Sequence, residues 1–68
     1  MKTINFNTEL KNRRLLANIS QYKFAKKAGY FPSKLSNIEQ GKRDIDFNEF
    51  DRLMNLLGFT VELRILPK

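Results

Sequence analysis

Apolar residues in this chain recur at helical spacing over most of its length and switch to strict alternation only at the end. Phe47, Phe50, Leu53, Met54 and Leu57 lie three and four residues apart, which predicts an amphipathic helix over about 47–57. Asp46 and Glu49 form an Asp-x-x-Glu capping pair at its start, and Gly58 closes it. Upstream, Pro32 suits the first position of a helix, where its missing N–H would go unbonded anyway. That helix runs to about Gln40, with Leu35 and Ile38 inward, Ser33, Lys34, Ser36 and Asn37 outward, and Gly41 as its stop. Before it, Ser20 caps a two-turn helix ending at Gly29. Ile19 and Phe24 take the two positions of a hydrophobic staple. Phe24, Ala25 and Ala28 make its apolar stripe, and Lys23, Lys26 and Lys27 line the other side.

The two ends are less regular. Thr8 as N-cap and Glu9 in the first turn predict a helix over about 9–17, with Leu10, Leu16 and Ala17 inward. Met1 to Asn7, with Ile4 and Phe6 two apart, reads as a short extended arm. At the other end Val61, Leu63 and Ile65 alternate with polar residues before Pro67, which predicts a strand over 60–66. One strand cannot satisfy its own backbone groups. It must pair with residues 2–7 or with a second copy of the chain, which makes Val61, Leu63 and Ile65 candidate dimer contacts.

Composition narrows the function. A chain of 68 residues holds one domain at most. It has no Cys and no His, so no disulfide, no thiolate metal site and no histidine base. Together with the lack of a Gly-rich phosphate loop, this argues against an enzyme and calls for no metal or cofactor. No run approaches the roughly 20 apolar residues of a membrane span. Met1 to Leu10 lacks the pattern of a signal peptide, so the expectation is a cytoplasmic protein.

Charge adds a direction. The net charge is +6, but residues 11–43 hold nine Lys or Arg and a single acid, Glu39, whereas residues 44–68 sum to −2. A positive field confined to one half of the chain suits a polyanion such as DNA or RNA. The same half, Ile19 to Arg43, carries two short helices meeting across Gly29 through a tight turn. Ala25 sits four residues before the glycine, where a larger side chain would hold the helices apart. This is helix-turn-helix geometry, in which the second helix enters the DNA major groove.

Ser20-Gln21, Phe24-Ala25, Gly29, Leu35-Ser36-x-Ile38-Glu39-x-Gly41-Lys42 and the later Leu56-Leu57-Gly58 together resemble the Cro/C1-type (XRE) helix-turn-helix family of repressors and bacterial regulators. The resemblance covers about residues 8–58 and leaves 59–68 as a dimerisation strand. It implies an all-α, four-helix, lambda-repressor-like domain whose C-terminal strand joins an intersubunit sheet. It further implies that Gln21 binds a phosphate, that Pro32, Ser33, Lys34 and Asn37 face base edges, and that Gln40, Lys42 and Arg43 hold the backbone beyond them. Arg14 and Glu39 match a pair that joins the first and third helices by a buried salt bridge in that family.

Three positions depart from the family pattern. Phe31 stands where a Ser or Thr cap is usual, Pro32 where a Gln often reads a base, and Tyr30 where a small apolar residue follows the glycine. Pro32 has no side-chain donor, which leaves Phe31 and Tyr30 to pack on the sugar–phosphate edge or a thymine methyl. The ending Leu-Gly-Phe-Thr-Val-Glu-Leu-Arg-Ile looks like HipB-type antitoxins, whose tail strands pair between subunits. That likeness implies a homodimer on double-stranded DNA, a palindromic operator and a HipA-like kinase toxin as partner. The competing expectation is a protein–protein adaptor that keeps the fold without binding DNA.

Overall fold

A computed structural model describes residues 5–62, together with Ile65 and Pro67. Four helices follow one another: α1 Phe6–Leu16, α2 Gln21–Ala28, α3 Pro32–Glu39 and α4 Phe47–Leu56. Ser20 accepts from the Lys23 N–H and Asp46 from the Glu49 N–H, so α2 and α4 start where their caps predict. Gly29 ends α2 at φ 79°, a left-handed conformation that costs a residue without Cβ nothing. Gly41 repeats this after α3, and the N–H groups of Lys42 and Arg43 both donate back to the Asn37 carbonyl.

The first helix corrects its expectation. Asn5, not Thr8, is the N-cap, and its side chain accepts from the Thr8 N–H at 3.2 Å. The expected arm is therefore helical from Phe6 on. The reason is tertiary: the Phe6 ring stacks on Phe50, with centroids 4.5 Å apart, and tilts against Phe47. Leu16 and Ala17 are exposed rather than inward. Arg14, four residues after Leu10, completes the buried face in their place.

The core is Leu10, Phe24, Ala25, Ala28, Leu35, Ile38, Phe50, Leu53 and Met54, drawn from all four helices. Burial of a Leu, Ile or Phe side chain contributes about 1.5–3 kcal/mol, so this cluster is the main stabilising term. Phe59 and Val61 of the tail lie half-buried against it. Among the described residues there is no strand. Of the expected strand, Leu63, Arg64 and Leu66 fall outside the described residues, and Ile65 is 96% exposed. No helix among the described residues is long and apolar enough to cross a membrane.

Candidate nucleic-acid interface

Leu35, Ile38 and Glu39 turn the inner side of α3 toward the core. Helical geometry then puts Ser33, Asn37 and Gln40 on the opposite side, and all three are exposed, as is Pro32 at the helix start. Gln40 donates from Nε2 to the Ser36 hydroxyl at 2.9 Å, which orders its amide along the helix end. Lys34 behaves differently from its neighbours. It is half-buried, and its ammonium lies 4.3 Å from the centroid of the Tyr30 ring, so its charge is directed toward α4 rather than along the Ser33–Asn37 face.

The inner charge of α3 is fully engaged. Arg14 Nε donates to Glu39 Oε2 at 2.6 Å and Nη2 to Oε1 at 2.9 Å, with the two side chains only 8% and 2% exposed. A third donor, Nη1, reaches the Ile19 carbonyl at 2.8 Å and ties the α1–α2 link to the same group. Gln21, at the first position of α2, donates from Nε2 to Glu39 Oε1 at 3.1 Å. This fixes which end of the amide faces inward. One Nε2 hydrogen remains, beside the positive end of the α2 dipole.

Electrostatically, the pair removes the only acid of residues 11–43 from the surface. Lys23, Lys26, Lys27, Lys42 and Arg43 are exposed and form no ion pair among the described residues. Arg13 is spent elsewhere, bonded to Glu9 at 2.7 Å and lying over the Phe59 ring. The basic half thus presents cations, amides and hydroxyls, groups that donate to phosphate oxygens and base edges.

Two features escaped the sequence. Asn7 donates from Nδ2 to the Ile38 carbonyl at 2.7 Å and the Arg43 carbonyl at 2.9 Å, so the first turn of α1 holds the loop that carries Lys42 and Arg43. Nothing in the local pattern marks a contact across more than thirty residues. The second is a cluster on the α4 side. Glu49, marked in the sequence only as half of a capping pair, accepts from the Tyr30 hydroxyl and from Arg52 Nε at 2.6 Å, while Arg52 also reaches the Ala28 carbonyl. The Arg52 guanidinium, and then the Tyr30 hydroxyl, hold the Glu49 carboxyl below its ordinary value of 4.5. Burial, and then the bond to Glu49, push Tyr30 up to about 12. The i,i+3 spacing of Glu49 and Arg52 was a usable signal; the arrival of Tyr30 was not.

No group of acidic side chains among the described residues is arranged to hold a metal ion. Compared with known families, residues 6–65 match a model described as a helix-turn-helix domain, of the Cro/C1 type. No curated protein and no solved structure matches the chain.

Proposed function

The chain belongs to the helix-turn-helix domain family, and from that premise we propose that it is a sequence-specific DNA-binding repressor. The observation that carries this reading is the basic half itself. Its one acid is consumed internally by Arg14, leaving an exposed face of Ser33, Asn37 and Gln40 flanked by exposed Lys42 and Arg43. In the proposed complex α3 lies in the major groove. Ser33 and Asn37 contact base edges, with Asn37 suited to a bidentate contact with adenine. Gln21, Gln40, Lys42 and Arg43 contact phosphates, and Lys34 with Pro32 lines the groove edge.

The finer reading is a homodimer on a palindromic operator, with half-sites about one helical turn apart. Val61, Leu63 and Ile65 pair between subunits, and the chain acts as a HipB-like antitoxin whose partner is a HipA-like kinase toxin. Support for the dimer is the 96% exposure of Ile65 and the alternation around it.

The deciding experiment selects a duplex from a random pool with the full chain and follows affinity against salt. A linear fall of log K with log salt is expected, and Lys42→Ala should reduce the slope by about 1 without changing the preferred sequence. Asn37→Ala should relax preference at one position of each half-site. No binding to any duplex, or no response to either variant, would move the assignment to a protein–protein adaptor, whereas binding without sequence preference would leave a DNA-binding protein that does not read bases. Light scattering of Ile65→Asp tests the tail: a dimer that persists would remove the strand from the interface.

A further inference from the structure

One residue of the proposed face is explained neither by the fold nor by phosphate binding. Phe31 is the N-cap of α3, where Ser, Thr, Asp or Asn would accept an N–H from the first turn, and its side chain makes no capping bond. The residue is 82% exposed and lies outside the core cluster. Tyr30, the other ring at this turn, is engaged elsewhere: its hydroxyl binds Glu49, and Lys34 and Arg52 flank its face. Of the two aromatic side chains at the mouth of α3, Phe31 is the one with no ring or hydrogen-bond contact among the described residues.

We infer that Phe31 is a specificity residue that reads the 5-methyl group of a thymine in each half-site. The inference rests on the DNA-binding reading of α3 and names what one of its residues recognises. Three observations support it. Phe31 directly precedes Pro32 and Ser33, so it lies at the N-terminal end of the helix, the end that contacts base edges. Its backbone is held extended, at φ −66° and ψ 146°, the region that a following proline favours, so the root of the ring is fixed in place. The surrounding chemistry is otherwise cationic and polar, and an exposed phenyl ring gains nothing from a phosphate. Base edges in the major groove are polar donors and acceptors except for the thymine methyl, which a Phe can cover. A cytosine in that place offers an amino donor and no methyl, so the contact separates the two pyrimidines.

The test uses the full chain and the duplex selected from a random pool. Each thymine of that duplex is replaced in turn by uracil, which removes the methyl and leaves base pairing intact. At one thymine per half-site, uracil should weaken wild-type binding roughly fourfold, the effect of returning one methyl group to water. Phe31→Ala should weaken binding to the thymine duplex by at least as much and bind thymine and uracil duplexes equally. Phe31→Ser separates recognition from folding, because it restores a capping hydroxyl and brings no methyl that could itself cover a thymine. It should keep or raise the thermal midpoint and still lose the distinction between thymine and uracil. A selected duplex with no methyl-dependent thymine, or a Phe31→Ala protein that keeps the distinction, would overturn the inference alone. Failure to select any duplex would overturn the DNA-binding reading beneath it.

Discussion

Two arginine–carboxylate pairs with the same closest approach, 2.6 Å, hold this molecule in different ways. Arg14 and Glu39 are nearly sealed from water and join helices 25 residues apart in sequence. Arg52 and Glu49 sit one turn apart on α4, with side chains 45% and 30% exposed. Contact distance therefore does not rank them. What ranks them is what each partner would have left if the other were removed. Water can solvate Glu49 or Arg52; it cannot readily reach Glu39 or Arg14.

The sharpest way to break this comparison is to remove one buried partner. Arg14→Ala or Glu39→Ala should each cost about 3–5 kcal/mol, because an unpaired charge is left inside. For a domain of this size that approaches the whole stability, and urea denaturation should find both variants largely unfolded. Arg14→Met combined with Glu39→Leu should recover most of the loss, since no charge is then stranded. A double variant no more stable than the singles would show that burial is not what separates the two pairs.

Asn7→Ala should come next. The carbonyls of Ile38 and Arg43 lose the amide donor, although the Gly41 N–H still reaches the first, and two bonds at about 0.5–1.5 kcal/mol each put the cost at about 1–3 kcal/mol by the same denaturation. The α4 cluster should respond least. Tyr30→Phe should cost about 1 kcal/mol, and Glu49→Gln about 1 kcal/mol or less.

The signature of that cluster is its pH dependence. The native Glu49 carboxyl is held below its ordinary 4.5, chiefly by Arg52, so its stabilisation is whole above 4.5 and is lost as pH falls through the lower native value. Native Tyr30 is raised from 10.0 to about 12, so its stabilisation is whole below 10.0 and is lost as pH rises toward 12. Glu49→Gln should flatten the acid limb of a stability profile, and Tyr30→Phe the alkaline limb. A steep acid limb that survives Glu49→Gln would assign the loss to another carboxylate.

The starts of α2, α3 and α4 were legible because their determinants are local: Ser20 and Asp46 accept first-turn N–H groups, and Pro32 needs no partner there. The start of α1 was not, because Phe6 is drawn into the helix by a stacking partner 44 residues away. The phase of α1 was also hidden. Its inward stripe is Leu10 followed by a charged residue, Arg14, so apolar spacing pointed to Leu16, which is 73% exposed. The buried Arg14–Glu39 bond was legible only through the family resemblance, which pairs two positions that no local pattern links. On the proposed face, the exposure of Ser33 and Asn37 follows from helical spacing, whereas Gln40 was marked only by the family resemblance. The position of Lys34 does not follow from spacing, since its ammonium is diverted by Tyr30, a contact that depends on how α4 docks.

The amide of Asn7 has a thermodynamic consequence beyond its two bonds. It makes the opening of the first turn of α1 and the release of the 41–43 loop parts of one equilibrium. Any ligand that binds the loop only when it is fastened must hold that turn closed, and by reciprocity a frayed turn must weaken the ligand. Amide hydrogen exchange at Thr8, Glu9 and Leu10 would then serve as a remote gauge of whether Lys42 and Arg43 are occupied.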